Sequence, residues 1–108
     1  MKEVKKKWGK EIWLVNELEY CAKLLIIEPG HECSYHCHLI KKETFYCLWG
    51  ETQIFCEGEY IVLNQTTEPF TILAGLYHSF SGNYPLNILL EVSTHHDNND
   101  VVRKKRSI

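Results

Sequence analysis

The chain has 108 residues and a net charge of −2, from 12 basic and 14 acidic residues, which suits a single domain and excludes a general attraction to nucleic acid or membranes. Its hydrophobic content of 44% is that of a packed globular protein rather than a disordered chain. The sequence has no run of about 18 apolar residues, and residues 1–7 lack the apolar segment of a secretion signal. We therefore expect a cytoplasmic protein without a membrane span.

Short apolar or alternating segments, separated by turn signals about every eight to twelve residues, predict roughly nine strands. The predicted strands cover residues 8–15, 20–28, 34–38, 43–49, 51–57, 60–63, 70–73, 77–80 and 86–94. No window has sustained helical periodicity, so we predict an all-β sandwich or barrel. We place its single domain at residues 8–100, between a basic lead-in at 1–7 and a basic tail at 101–108.

The most informative segment contains three potential metal ligands, His36, His38 and Glu43. If residues 34–38 are extended, His36 and His38 share one face, and Cys37 points to the other, because side chains alternate along a strand. Two imidazoles on one face can converge on a single metal ion. Glu43 begins the returning strand and can add a carboxylate oxygen.

The five cysteines are an odd number that does not suit a fully paired disulfide framework. They fall within or beside predicted strands, where free cysteine behaves as a small apolar residue, so we expect them to fill the core. The alternative is a zinc site built from Cys33, His36, Cys37 and His38. It is disfavoured because Cys33 and Cys37 would point away from both histidines on a strand.

A longer pattern surrounds these ligands. Gly30, His36, His38, Glu43 and Gly50 fill every fixed position of Gly-x5-His-x-His-x4-Glu-x6-Gly. In this pattern the chain resembles the first signature of the cupin superfamily. The resemblance implies a jelly-roll barrel, also called a double-stranded β-helix, with a metal ion inside its mouth.

The second cupin signature is retained only in part. Gly75 and His78 match it, whereas Thr67, Leu73 and Gly82 stand where the family has glycine, proline and asparagine. The resemblance implies that His78 is the fourth metal ligand. Three imidazoles and one carboxylate suit one divalent transition metal, which we expect to be Zn²⁺, Mn²⁺, Fe²⁺, Ni²⁺ or Co²⁺.

Both ends of the chain narrow the resemblance. The pair Trp8-Gly9 is similar to the opening of sugar-isomerase cupins, and the acidic run before Arg103 is similar to their ending. The chain thus resembles the C-terminal cupin domain of type II mannose-6-phosphate isomerases and small D-lyxose-isomerase-like cupins. This implies aldose–ketose isomerisation or epimerisation of a sugar or sugar phosphate through a metal-stabilised enediolate. Alternatives are a non-catalytic sugar-binding or sensing cupin, an Fe²⁺ dioxygenase and a metal-free β-sandwich for protein contacts.

Two charged residues within apolar strands are candidates for catalysis. Glu91 interrupts the apolar run 88–92, where a charge is expected to face a polar cavity, and we expect it to be the base that moves a proton. Lys23 precedes the apolar run 24–27 and can donate a hydrogen bond to a substrate oxygen. For each, the alternative is a position at the protein surface.

Three further residues are candidates for binding substrate. Arg103 can hold a phosphate or ring hydroxyls bidentately, the alternative being that it belongs to a solvated basic tail. Phe45 shares the phase of the ligands, as Phe80 and Trp49 do, so we expect these rings to wall the cavity. Tyr77 is the third candidate, although it alternates out of phase with the ligands, which also suits outer-face packing. The expected partners are a small carbohydrate and a second copy of the chain, in a homodimer formed through outer-face aromatics and the N-terminal strand.

Overall fold

The computed structural model describes residues 1–104, which form eleven strands and no helix. In chain order the strands are β1 (Lys2–Lys6), β2 (Gly9–Asn16), β3 (Cys21–Ile27), β4 (His36–Cys37), β5 (Glu43–Trp49), β6 (Thr52–Cys56), β7 (Glu59–Leu63), β8 (Phe70–Ile72), β9 (His78–Gly82), β10 (Asn87–Ser93) and β11 (Val102–Arg103). The predicted all-β class is confirmed. In this part of the chain, no helix with the length and apolar character needed to cross a membrane is found.

The strands form two facing antiparallel sheets. One sheet has six strands in the order β1-β2-β3-β10-β5-β8, and the other has five in the order β11-β4-β9-β6-β7. The chain changes sheet repeatedly, because sequence neighbours such as β3 and β4, or β5 and β6, lie in different sheets. This topology is the predicted double-sheet jelly roll.

The register of β3, β10 and β5 sorts their inward side chains into rows. Two adjacent rows are Leu25–Leu89–Cys47 and Lys23–Glu91–Phe45. All six side chains are buried. Because every second residue of a strand faces the same side, the apolar row and the charged row lie next to each other on one face. The apolar row joins the core between the sheets, and the charged row faces a cavity.

The five cysteines are free and buried, as the sequence predicted. Cys33, Cys47 and Cys56 belong to the apolar core together with side chains from both sheets. The potential metal-ligand cluster in the described residues contains three histidines and no cysteine. The alternative zinc site with two cysteines therefore gains no support from the structure.

Both chain ends take part in the sheets, beyond the domain boundaries that we predicted. In the lead-in, β1 pairs with β2 from Lys2 opposite Trp13 to Lys6 opposite Gly9. In the tail, β11 pairs with β4 and places Arg103 opposite His36. Neither end carries an apolar alternation, because both lie at sheet edges and are mostly exposed. The rest of the predicted tail, residues 105–108, lies outside the described residues.

The position of Trp49 differs from our expectation that its ring walls the cavity. Its side chain is 59% exposed and does not wall the cavity. Leu89 pairs with Cys47, but Ile88 pairs with Trp49, so Leu48 is an extra residue in β5. Such a β-bulge changes the phase of the side chains that follow it. Phe45 precedes the bulge and remains on the cavity wall.

Two glycines with similar backbone angles give a matched test of close packing. Gly50 and Gly58 have φ of 79° and 84°. A Cβ at Gly50 would collide with the carbonyl oxygen of Leu86, whereas a Cβ at Gly58 would meet no atom within 4 Å. We predict that Gly58→Ala lowers the free energy of unfolding by about 1–2 kcal/mol through backbone strain alone. Gly50→Ala should cost at least about 2 kcal/mol more, because backbone must also move.

Urea unfolding of the two variants beside the wild type measures this difference. Equal losses of stability for Gly50→Ala and Gly58→Ala would contradict the predicted close contact at Gly50.

Candidate functional site

A cavity of about 400 Å³ opens between the two sheets beside the charged row. Phe45 and Phe80 form apolar parts of its wall, while most of the other lining side chains are charged or carry an imidazole. Such a mixture of apolar walls and convergent polar groups is typical of small-molecule sites.

Three histidines converge on one side of this cavity. His36 and His78 are direct partners across β4 and β9, and His38 follows His36 by two residues. One ring nitrogen from each histidine lies within 4.8 Å of the others. His38 and His78 are buried, and His36 is half-buried. The predicted convergence of His36, His38 and His78 is therefore present, and the cluster can hold a metal ion.

The other ring nitrogens fix the tautomers of these histidines. The Nδ1 atoms of His36, His38 and His78 lie 2.7, 2.6 and 3.0 Å from the carbonyl oxygens of Ser34, Asp100 and Leu76, respectively. A carbonyl oxygen only accepts hydrogen bonds, so each Nδ1 carries a proton, and in a neutral ring the Nε2 then has a free lone pair. Burial lowers the pKa of His36 to about 4 and also lowers that of His38, which favours neutral rings.

Glu43 faces the same point as the histidines. Its Oε1 lies 2.7 Å from Nε2 of His78 and 4.0 Å from Nε2 of His38. This oxygen is buried, and a neutral His78 with its proton on Nδ1 donates no hydrogen bond to it. A separation of 2.7 Å between Oε1 and Nε2 requires either a proton or a metal cation between the two atoms. The residues present therefore fit a divalent metal ion, which would satisfy the buried oxygen and the imidazole lone pairs together.

Lys41 joins Glu43 to a second buried carboxylate. Its Nζ lies 3.2 Å from Oε2 of Glu43 and 3.0 Å from Oε2 of Glu91. Burial alone would lower the pKa of Lys41, but the attraction of Glu91 and Glu43 outweighs it and raises that pKa. Burial, with repulsion from Glu43, raises the pKa of Glu91 above its ordinary value. One ammonium group thus binds two carboxylates whose pKa values differ.

A third carboxylate of the cavity, Glu11, lies on β2. Glu11 accepts the N–H of Trp13 at 2.8 Å and lies 3.6 Å from the ammonium of Lys23. Burial alone would raise the pKa of Glu11, but Lys23 and the Trp13 N–H outweigh it and lower that pKa. Glu11 is therefore held ionised and is a weaker base than Glu91.

The predicted substrate-binding residues have different positions. Phe45 is buried in the cavity wall, and Arg103 lines the cavity with an exposed side chain. Tyr77 is not a lining residue: its ring lies 5.5 Å from that of Tyr35, and the ammonium of Lys104 lies 4.2 Å from its centre. The structure thus supports outer-face packing of Tyr77 rather than contact with a substrate. A homodimer through these aromatics stays a prediction.

Sequence reasoning missed the role of the connection at residues 39–42. Asp100, at 9% exposure, accepts hydrogen bonds from the backbone N–H groups of Leu39, Ile40 and Lys41 at 2.8–3.3 Å. Its carbonyl oxygen also accepts from His38. Asp100 therefore fixes both a candidate ligand and the backbone of Lys41. Lys41 stands two residues before Glu43 and shares its face if the segment is extended, so the sequence could have identified it. Nothing in the sequence around Asp100 indicates its contacts.

Comparison with known proteins identifies the family. The model of the mannose-6-phosphate isomerase C-terminal family matches residues 1–106, which is almost the entire chain. The chain belongs to this family. The resemblance inferred from the two signatures and the chain ends is confirmed.

Several relatives carry the names of sugar isomerases. The D-lyxose/D-mannose isomerase of Thermosediminibacter oceani is 30% identical, over 77% of this chain and 60% of its own length. The D-lyxose ketol-isomerase of Cohnella laeviribosi is 31% identical, over 74% of this chain and 58% of its own length. The chain thus spans less than two thirds of the length of these relatives.

Solved structures share the fold at low sequence identity. KdgF from Halomonas sp. has a TM-score of 0.81 at 13% identity, covering 92% of both chains. L-ribose isomerase of Cellulomonas parahominis, solved with L-ribose, has a TM-score of 0.76 at 18% identity, over 80% of this chain and 60% of its own. These similarities concern the fold alone.

The histidine cluster predicts binding of a divalent ion. We expect the purified protein to bind about one equivalent of Co²⁺, with ligand-field absorption, because three imidazole lone pairs face one point. His36→Ala combined with His38→Ala should weaken binding by more than the roughly 10–100-fold typical of losing an outer hydrogen bond. His31→Ala is the control, because His31 is exposed and lies outside the cluster. Equal Co²⁺ affinity of the double variant and the control would contradict the site.

Asp100 should influence the same ion without contacting it. We predict that Asp100→Asn weakens Co²⁺ binding about tenfold, because its amide cannot accept all the backbone N–H groups that position residues 39–41. Stability should fall by about 1–3 kcal/mol, since buried donors lose their acceptor. Asp97→Asn, at an exposed neighbouring carboxylate, is the control. Unchanged Co²⁺ affinity and spectrum in Asp100→Asn would show that Asp100 does not position the cluster.

Proposed function

We propose that this protein is a metal-dependent sugar isomerase that interconverts an aldose and a ketose. The observation that carries the proposal is a buried carboxylate, Glu91, beside a cluster of three imidazole lone pairs and a second carboxylate. Family membership and the names of the relatives support the same reaction class. The substrate is a five- or six-carbon sugar or its phosphate.

His36, His38, His78 and Glu43 are the proposed ligands. Neutral imidazoles with a carboxylate suit a borderline divalent ion, Zn²⁺, Mn²⁺, Fe²⁺, Ni²⁺ or Co²⁺. When bound, such an ion supplies Lewis acidity toward the oxygens of the sugar. The chain contributes the fixed orientation of the ligands, since each imidazole is held by a hydrogen bond from its Nδ1.

Glu91 is the proposed base that takes a proton from the hydroxyl-bearing carbon beside the carbonyl and returns it to the carbonyl carbon, while the proton of that hydroxyl passes to the carbonyl oxygen. Burial and Glu43 raise its pKa, which brings it closer to the range of an effective base at neutral pH. Glu11 is the less suitable carboxylate, because Lys23 and Trp13 lower its pKa. Glu91 is only 5% exposed, which limits exchange of the transferred proton with water.

Lys41 has a positioning role in this proposal. Its ammonium lies between Glu43 and Glu91 at hydrogen-bond distance from both, which offsets the repulsion between two buried carboxylates. Glu91 is thereby kept ionised and oriented. Lys23 and Arg103 are proposed to donate hydrogen bonds to substrate oxygens, and Phe45 to form an apolar wall.

The test of this proposal is the variant Glu91→Gln. We expect conversion of D-lyxose or D-mannose to the ketose, followed by NMR in the Mn²⁺-loaded protein, to fall about 10²–10⁴-fold, since the base is lost. The Co²⁺ affinity and spectrum should change little, because Glu91 is not a proposed ligand. Glu19→Gln, at an exposed carboxylate, should retain full activity.

Other outcomes would replace the proposal. Full activity of Glu91→Gln would assign the proton transfer to another group. Saturable sugar binding by the wild type with no ketose formed, for any of the five metals, would favour a sugar-binding module. Oxygen uptake by the Fe²⁺-loaded protein would favour a dioxygenase.

A further inference from the structure

His96 lines the cavity but is neither a proposed metal ligand nor the proposed base. It lies between β10 and β11, and its ring is half-buried. Asn16, at the end of β2, holds its backbone on both sides. The N–H of His96 donates to the side-chain oxygen of Asn16 at 3.0 Å, and the Asn16 amide donates to the carbonyl oxygen of His96 at 3.1 Å. The imidazole also contacts the Trp13 ring edge-on, with ring centroids 5.0 Å apart. The position of the ring is therefore fixed.

The contacts of the two ring nitrogens define the tautomer of His96. Its Nδ1 lies 3.1 Å from the ammonium nitrogen of Lys41. An ammonium group only donates hydrogen bonds, so this Nδ1 presents its lone pair. The ring proton is then on Nε2, which donates to the side-chain oxygen of Asn98 at 3.0 Å. Burial, with repulsion from Lys23 and Lys41, lowers the pKa of His96 to about 4, which agrees with a neutral ring.

This tautomer is opposite to that of the three histidines in the ligand cluster, whose protons are on Nδ1. The difference has a physical cause. The histidines of the cluster face carbonyl oxygens with Nδ1, whereas His96 faces a cation with that atom. His96 is therefore built to accept a hydrogen bond at Nδ1 and not to donate one there.

Lys41 has three N–H groups, and three acceptors surround its ammonium nitrogen. They are Glu43 at 3.2 Å, Glu91 at 3.0 Å and His96 at 3.1 Å. Lys41 is only 3% exposed, so a missing acceptor would not be replaced freely by water. His96 supplies the third acceptor without adding a third negative charge. With all three N–H groups engaged, Lys41 has none left for a substrate.

Lys23, the other buried lysine of the cavity, is bonded differently. Its ammonium lies 3.6 Å from the carboxylate of Glu11 and 4.1 Å from the centre of the Trp13 ring. Both separations are longer than the roughly 2.7–2.9 Å of a charge-assisted hydrogen bond. Lys23 is the register partner of Glu91, whose Oε2 is bound by Lys41. The two lysines beside Glu91 therefore differ, because Lys23 retains N–H groups for a substrate oxygen and Lys41 does not.

We propose that His96 is a positioning residue, a fixed neutral acceptor that holds the ammonium group of Lys41 between Glu43 and Glu91. Lys41 is then a stationary counter-charge and does not donate a proton to the substrate. Without His96, one N–H of Lys41 would turn toward the cavity, and the ammonium would no longer fix the orientation of Glu91. The effect on turnover rests on the proposed function, whereas the hydrogen bond itself does not.

Two substitutions of His96 separate the acceptor from the rest of the ring. The side-chain oxygen of His96→Asn can occupy the place of Nδ1, so this variant keeps an acceptor for Lys41. His96→Gln extends its amide by one carbon toward the place of Nε2 and leaves no acceptor at Nδ1. His95→Gln is the matched control, because His95 is the adjacent histidine, does not line the cavity and contacts the carbonyl oxygen of Glu17 instead.

Nitrogen-15 NMR, with and without diamagnetic Zn²⁺, measures the contact without any turnover. In the wild type the proton of His96 should be on Nε2. Lys41 should give an ammonium signal, because a buried group with three acceptors exchanges its protons slowly with water. This signal should persist in His96→Asn and His95→Gln and disappear in His96→Gln.

A wild-type His96 with its proton on Nδ1 would overturn the inference, as would a Lys41 signal that survives in His96→Gln. The wild-type tautomer requires no substitution, so it decides the inference even where His96→Gln does not fold.

The kinetic effect should be a loss of kcat at nearly unchanged KM, because His96 acts through Lys41 and not on the sugar. In the Mn²⁺-loaded protein, kcat for D-lyxose or D-mannose should fall about tenfold or more in His96→Gln, as is typical of losing an outer hydrogen bond. His96→Asn should recover most of this loss. Equal kcat values for His96→Asn and His96→Gln would contradict the positioning role.

The two readouts separate this inference from the proposed function. Loss of the Lys41 signal in His96→Gln, in a protein that forms no ketose, supports the hydrogen bond and contradicts the isomerase. Ketose formation by the wild type, with a Lys41 signal unaffected in His96→Gln, does the reverse.

Discussion

The antiparallel register of β3, β10 and β5 is the constraint on which the rest of the molecule depends. It aligns Leu25, Leu89 and Cys47 in one inward row. The charged row lies two residues away on each of the three strands. A shift of one residue would turn both rows outward, since side chains alternate. The apolar row therefore stabilises the register, and the register in turn fixes Glu91 beside Lys23.

Burying several charges in one cavity is costly unless each is matched. The ligand side of the cavity has an excess of negative charge, because Lys41 alone serves Glu43 and Glu91. On β3, the buried Lys23 has Glu11 as an ion-pair partner at 3.6 Å. A metal ion on the ligand side would neutralise the negative excess there. The same imbalance that reduces the stability of the free protein thus favours the bound state.

Short-range patterns predicted most of the fold and the ligand cluster. Alternation revealed β3 and β10, and the spacing of His36 and His38 predicted their common face. The edge strands β1 and β11 escaped prediction because edges need no apolar face. Trp49 was misplaced because a bulge depends on the pairing of β5 with β10, and that pairing is absent from the local sequence. The contact of Asp100 with residues 39–41 joins positions far apart in the chain and is visible only in three dimensions.

The division of the cavity between central strands and chain ends has a further consequence. The candidate ligands and Glu91 come from β4, β5, β9 and β10, or directly follow them, whereas Lys2, Lys6 and Arg103 come from the edge strands β1 and β11. Central strands are constrained by neighbours on both sides, but an edge strand accepts substitution with little loss of packing. The cavity-lining side chains of the edge strands can therefore change while the register around Glu91 stays intact. Within a shared fold, we expect differences in the ligand that the cavity accepts to follow from the edge strands, and the candidate metal site to follow from the central ones.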